Sequence, residues 1–166
     1  MAKKKQTVTN AMRMLDKSKV DYRVIEYDAG GEIGENFGER IAALCGIPPE
    51  KSFKTLVARG KTECYTAVIP VNEELDLKKL AQLSGEKKVE LVAVKEILAL
   101  TGYIRGGVSP IGMKKKFRTF INDSITALDE AAVSGGVCGV TLFMKPESLI
   151  AVTDATVADI IKRGEE

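Results

Sequence analysis

Lys54 stands inside an apolar run, Phe53-Lys54-Thr55-Leu56-Val57-Ala58. Strand alternation puts its side chain on the face of Leu56 and Ala58, and puts Thr55 with Phe53 and Val57. Neither face is polar enough to meet water, so the ammonium must snorkel, pair or line a cavity. A lysine in an apolar setting is suited to work on a carbonyl or carboxylate, although a snorkelling edge lysine satisfies the same pattern. A second chemical element is Gly102-Tyr103-Ile104-Arg105-Gly106-Gly107-Val108-Ser109-Pro110-Ile111-Gly112. Gly106-Gly107 can bring backbone close to a ligand and present successive N–H groups to an oxyanion, and a bulged hairpin accounts for the glycines as well. It is not a Walker A loop: the lysine comes one place late, after Gly112-Met113, and the Ser/Thr is missing. Ser134-Gly135-Gly136 offers a hydroxyl at a turn, which also reads as a hairpin corner. Tyr27 and Phe37 flank an acidic, glycine-rich loop, where aromatics commonly pack.

Composition narrows what these residues can do. The 166 residues include no histidine and no tryptophan. That excludes a Ser-His-Asp or Cys-His nucleophile and an H-E-x-x-H zinc site. The three cysteines, Cys45, Cys64 and Cys138, cannot make a Cys₄ site. They are odd in number, far apart and in apolar surroundings, as in a reducing compartment. No apolar run reaches the ~18 residues of a membrane span. The basic start at Lys3-Lys4-Lys5 has no apolar region behind it, so a cytoplasmic location is expected. The net charge of +2 is unevenly spread. Residues 97–122 carry no acid, while Arg105, Lys114, Lys115, Lys116 and Arg118 make that stretch basic. A polyanion could dock there, and a solvated corner would look the same.

The elements that must position these residues are short. A helix capped by Thr9 or Asn10 runs to about Lys19, and 22–27 reads as a strand. Residues 28–36 form a loop and 37–45 a helix stopped by Gly46. Strands at 53–59 and 63–70 join at Gly60-Lys61-Thr62, a hairpin signal. Asp76 caps a helix carrying Leu77, Leu80 and Leu83, closed by Gly85. Residues 88–92 read as a strand and 94–100 as a helix. Further strands follow at 117–121, 127–134 and 140–144. Pro146 opens a helix, and Asp154 is read as the cap of a last one reaching Ile161. The pattern is an α+β fold in one domain over 1–166, with a mixed, barrel-like sheet flanked by helices.

In combination, Asn36-Phe37-Gly38, Ser52-Phe53-Lys54-Thr55-Leu56, the Gly102–Gly112 block and Val133-Ser134-Gly135-Gly136 resemble the YbaK/EbsC family. These are free-standing aminoacyl-tRNA deacylases related to the editing domain of bacterial prolyl-tRNA synthetases. The likeness is strongest to the branch acting on Cys-tRNA(Pro), with Cys-tRNA(Cys) as a further substrate. It implies Lys54 as the functional lysine, with Gly106 and Gly107 as the backbone cradle of the aminoacyl end. It implies a substrate pocket of Tyr27, Phe37, Thr55, Ser109, Ser134 and Thr141, and tRNA contact through Arg105, Lys114, Lys115, Lys116 and Arg118. Val137, Cys138 and Thr141 depart from the basic and acidic residues expected after the Ser-Gly-Gly turn. The implied mechanism uses the substrate's own thiol, which attacks its ester and leaves a thiolactone and free tRNA. No metal or cofactor is implied. Prolyl-tRNA synthetase on the same tRNA is the implied partner, the chain itself being a monomer or weak dimer. A deacylase for another small amino acid such as alanine, or a non-catalytic aminoacyl-tRNA-binding module, are the alternatives.

Overall fold

The computed structural model describes residues 8–28 and 36–163. Helix α1 (Asn10–Lys17) starts where the Thr9 hydroxyl accepts the Met12 N–H at 3.2 Å. Strand β1 (Arg23–Glu26) follows, and most of the acidic loop expected next lies outside the described residues. Helix α2 (Phe37–Leu44) leads to β2 (Phe53–Arg59) and β3 (Cys64–Pro70). The hairpin turn forms as expected, with the Gly60 N–H donating to the Glu63 carbonyl at 2.8 Å. Glu86 braces it, accepting from the Lys61 N–H at 3.1 Å and the Tyr65 hydroxyl at 2.5 Å.

Helix α3 (Leu77–Ser84) is capped by the Asp76 carboxylate, which accepts the Lys78 and Lys79 N–H groups. The strand expected at 88–92 contracts to β4 (Glu90–Leu91). The helix expected at 94–100 divides into a 3-10 turn and α4 (Ile97–Thr101). Then come β5 (Arg118–Asn122), β6 (Ala131–Ser134), β7 (Val140–Met144), α5 (Pro146–Thr153) and β8 (Thr156–Ala158).

Two sequence expectations are corrected. The strand read at 127–134 begins only at Ala131, because residues 123–127 coil into a 3-10 turn around the buried Ile125. Asp154 caps no final helix. It ends α5 at φ 53°, a left-handed position that aspartate tolerates, and the chain then extends into β8 through β-branched Thr156 and Val157.

The strands form two sheets. The larger is mixed, ordered β4-β2-β3-β5-β8, with β2 antiparallel to both neighbours and β5 parallel to β3 and β8. The smaller is antiparallel, ordered β1-β7-β6. A bridge between Ser52 and Ala132 joins them, so β2 belongs to the larger sheet and touches the smaller at its start.

Every residue of β3 is buried, since both its faces are covered. On one side Val68 joins Phe53, Ile121, Leu142 and the helix residues Leu15 and Leu149. On the other, Ala67 and Ile69 pack with Leu80, Phe120 and Ile160. A third cluster, Ala42, Ile47, Val71, Ala132 and Phe143, seats α2 where the two sheets meet. No helix among the described residues is long and apolar enough to cross a membrane.

Asn122 ties the end of the chain to this frame. It is fully buried, its Oδ1 accepts the Ile160 N–H at 3.1 Å, and its Nδ2 donates to Ser124 Oγ at 2.9 Å. Removing the amide leaves the Ile160 N–H buried without a partner. Asn122→Ala is expected to cost about 2 kcal/mol. Urea unfolding checks this, as a lowered midpoint with unchanged slope.

Candidate active site

Strand β2 is paired unevenly along its length. One edge follows β3 throughout, with Lys54 opposite Ile69. The other edge bridges to Ala132 at Ser52, accepts the Val92 N–H on the Val57 carbonyl at 3.0 Å, and pairs with β4 at Ala58 and Arg59. Between those points, among the described residues, no strand covers Lys54, Thr55 and Leu56. A cleft of about 800 Å³ opens here, with residues 52–57 contributing to its lining.

The remaining lining comes from five other parts of the chain. Helix α2 contributes Phe37, Gly38, Glu39 and Ile41, and the turn after β3 contributes Val71, Asn72, Glu73 and Glu74. The glycine block supplies Arg105, Gly106 and Val108, and the small sheet supplies Tyr27, Val133, Ser134 and Thr141. Leu91, Val92, Val94 and Ile97 complete it. Helix α2 can approach because Gly38 has no side chain: a Cβ there would lie 2.8 Å from Val71 Cγ1.

Lys54 is half-buried and makes no hydrogen bond or ion pair among the described residues. Burial pushes its ammonium below the ordinary lysine range, while Glu39, Glu74 and Glu73 pull the other way. Beside it the Thr55 hydroxyl is buried with no hydrogen-bond partner. Tyr27 is placed by its N–H donating to the Gly139 carbonyl at 2.9 Å. Burial raises its phenol, against the Gly139 backbone and the Thr141 side chain, which favour the ionised form, so Tyr27 stays neutral. Thr141 lies across from Ser134 in the β6–β7 pairing and is 6% exposed. Ser134 Oγ accepts the Gly136 N–H at 3.2 Å and shapes its own turn.

The glycine block is pinned from within. The buried Tyr103 hydroxyl donates to the Ile111 carbonyl at 2.6 Å, and burial pushes its phenol up to about 12. Gly107 packs so closely on the chain at Val137 and Cys138 that a Cβ would stand 2.8 Å from the Val137 Cα. Its N–H donates to the Ile104 carbonyl at 2.9 Å, so the expected pair of outward amides reduces to Gly106, at φ 91° on the cleft. Ser109 is fully buried, and its Oγ accepts the Ile111 N–H at 3.3 Å; it shapes the loop and does not line the cleft.

Lys54, Thr55, Tyr27, Phe37, Gly106, Ser134, Thr141 and Arg105 thus meet in one cleft, and Gly107 and Ser109 stand behind its wall. Lys114, Lys115, Lys116 and Arg118 are exposed and lie outside it. Lys116 is 3.9 Å from Asp154, while the Arg118 guanidinium lies over the Phe120 ring at 5.3 Å and donates to the Ser84 carbonyl at 3.3 Å. Glu39, Asn72, Glu73 and Glu74 were not expected at the site. The hairpin register could have found the last three: counting back from Gly60 pairs Phe53 with Pro70, which brings the acidic turn beside Lys54.

Comparisons with known proteins place the chain in a family and a fold. The profile of the aminoacyl-tRNA editing domain matches residues 37–152. A protein of Enterococcus faecalis with the provisional name Cys-tRNA(Pro)/Cys-tRNA(Cys) deacylase EbsC is 46% identical, covering 96% of this chain and 98% of its own. The multifunctional Ser/Thr-tRNA deacylase ProXp-y of Escherichia coli is 22% identical over 92% of this chain and 91% of its own. A solved structure described provisionally as a trans-editing enzyme for prolyl tRNA synthetase superposes with a TM-score of 0.80. It is 25% identical and covers 93% of this chain and 96% of that one.

The depressed Lys54 ammonium has a consequence for stability. Its folded pKa lies below its unfolded one, so the buried charge opposes folding at neutral pH. That opposition fades as pH rises through the folded value toward the unfolded one. Lys54→Met is therefore expected to melt at or above the wild-type temperature at pH 7, with the difference narrowing in alkaline buffer. Thermal melts at several pH values check this.

Proposed function

Because the chain belongs to the aminoacyl-tRNA editing domain family, we propose that it clears mischarged tRNA in trans by hydrolysing the aminoacyl ester. Its foremost substrate in this reading is Cys-tRNA(Pro), with Cys-tRNA(Cys) as a second. The observation that carries the reading is Lys54: an unpaired, half-buried ammonium on the uncovered edge of β2, inside a cleft that also holds Gly106, Tyr27 and Thr141.

The chemistry follows from what the cleft contains. With no histidine in the chain, the cleft has no imidazole to serve as the base of an acyl transfer. The substrate's thiol supplies the nucleophile. Its sulfur attacks the ester carbonyl, and the negative charge that develops on the carbonyl oxygen is met by the Lys54 ammonium and the Gly106 N–H. The intermediate collapses with cleavage of the bond to the ribose oxygen, which takes up a proton as the thiol proton passes to solvent. Free tRNA and a four-membered thiolactone result, and water opens the thiolactone to cysteine. Tyr27 remains protonated throughout and, with Thr141, orients the aminoacyl group. Editing is needed because cysteine and proline differ too little in size for one synthetic pocket to separate them adequately.

Arg105 at the cleft, with Lys114, Lys115, Lys116 and Arg118 beyond it, forms the tRNA-facing side in this proposal. So few charges make binding weak and steeply salt-dependent. Prolyl-tRNA synthetase, holding the same tRNA, is the partner that adds affinity.

Deacylation of a panel of tRNA(Pro) charged with cysteine, serine or alanine tests the reading. The cysteinyl ester is expected to disappear and the seryl ester to persist. Rapid loss of the seryl ester would rule out the thiol mechanism, and release of alanine alone would replace the substrate.

Lys54→Ala is expected to lower kcat/KM for the cysteinyl ester by about 10²-fold or more. Wild-type activity should fall on the alkaline side at a pH below the ordinary lysine range, because only the ammonium form stabilises the oxyanion. A pH–rate profile of both proteins measures this.

A further inference from the structure

The borders of the cleft differ in chemistry. Glu39 on α2 and Glu73 and Glu74 after β3 make one part of the lining acidic. Another part, Leu91, Val92, Val94 and Ile97 from β4 into α4, is apolar, and large side chains of this segment, including Leu98 beside the lining in sequence, stand in solvent. Leu91 is 51% exposed, Val94 57% and Leu98 56%. These three are among only eight large hydrophobic residues exposed on the described chain, so this short segment is unusually apolar for a surface. Val94 and Leu98 are four residues apart across the 3-10 turn and α4 and so share a face. Lys95 is exposed within the same segment, and Arg105 joins Leu91 and Val94 in the lining.

An aminoacyl ester carries its terminal nucleotide on the same ribose. With the ester carbonyl at Lys54, the nucleotide must leave the cleft across part of this lining, and these two borders differ most in what they offer it. Passage beside Glu39, Glu73 and Glu74 sets phosphate against three carboxylates. Passage over β4 and α4 gives the flat face of a base an aliphatic seat and the phosphate two cations.

Building on the deacylase reading, we infer that Leu91, Val94 and Leu98 seat the terminal nucleobase of the substrate tRNA, with the adjoining phosphate directed toward Lys95 and Arg105. The aliphatic side chains cover the base without reading its edges, so the seat accepts the nucleotide common to every tRNA 3′ end and leaves amino-acid choice to the inner pocket.

Adenosine 5′-monophosphate is the probe, with ribose 5-phosphate as the control lacking a base. Methyl NMR is expected to show AMP shifting Leu91, Val94 and Leu98, and AMP should compete with charged tRNA in the deacylation assay where ribose 5-phosphate does not. Val94→Asp, a change at an exposed position, is expected to weaken AMP about tenfold or more, in the range of one base-stacking contact. Val94→Ile should restore the wild-type affinity. Equal effects of AMP and ribose 5-phosphate, shifts confined to other methyl groups, or unchanged AMP affinity in Val94→Asp would overturn the proposal. Should Val94→Asp impair deacylation only when prolyl-tRNA synthetase is present, the segment is a protein-docking face and the proposal falls. NMR binding needs no turnover. AMP bound at these methyls in a protein inactive on every charged tRNA would therefore sink the deacylase reading while supporting the nucleotide seat.

Discussion

The arrangement depends on one strand serving two sheets. Strand β2 must follow β3 along its whole length, touch β6 at Ser52 and meet β4 at Ala58 and Arg59. The two outer partners belong to different sheets, and among the described residues the strand edge between them is left without a covering strand. Uncovered backbone at a sheet edge usually invites pairing with another chain. Here it is recessed in a cleft, and the residue placed on it is a lysine, which discourages a further strand from adding. The same geometry that creates a vulnerable edge therefore creates a polar cavity within an apolar frame. Helix α2 and the glycine block then have only to approach that opening, and Gly38 and Gly107 permit the close contacts that bring them in.

Electrostatics gives the opening its character. Among the described residues the Lys54 charge is not neutralised by an ion pair, and it is not fully hydrated, so its field acts on whatever enters. Three glutamates at a distance oppose the effect of burial without consuming its hydrogen-bonding capacity. Direct pairing would have made a stable but inert bridge, like that between Lys51 and Asp129 at 3.0 Å. In a chain without histidine, catalysis by a held charge and an oriented substrate is the mechanism proposed above for this cleft.

Much of this was legible in the sequence where local rules decide. The Thr9 and Asp76 caps, the turn at Gly60 and the α+β class follow from side-chain chemistry within a few residues. Lys54, Tyr27, Phe37, Ser134 and Thr141, which the family likeness named, line one cleft. Where the reading missed, longer-range packing had decided. Asp154 has the composition of a helix cap at either end, and only the vacant edge of β5 makes the following residues a strand. Ser109 and Gly107 sit in the right motif but face inward, because Tyr103 and the chain at Val137 hold the loop in one orientation. The acidic border of the cleft follows from hairpin register, a pairing that no window of neighbouring residues contains.

The pairing of β1 with β7 also gives the site a history within each molecule. Arg23 lies opposite Phe143, so a segment made early by the ribosome waits for more than a hundred residues before it can find its partner. Closing so long a loop is slow relative to forming the β2–β3 hairpin, whose strands are neighbours in the chain. Tyr27, which follows β1, and Thr141, which lies in β7, can meet only after that closure. The lysine's edge of the cleft can therefore form first and the side that carries Tyr27 and Thr141 last. A nascent chain would hold an exposed charge on a hairpin well before the cleft around it is complete, and the enclosure would appear abruptly, as the small sheet zips shut.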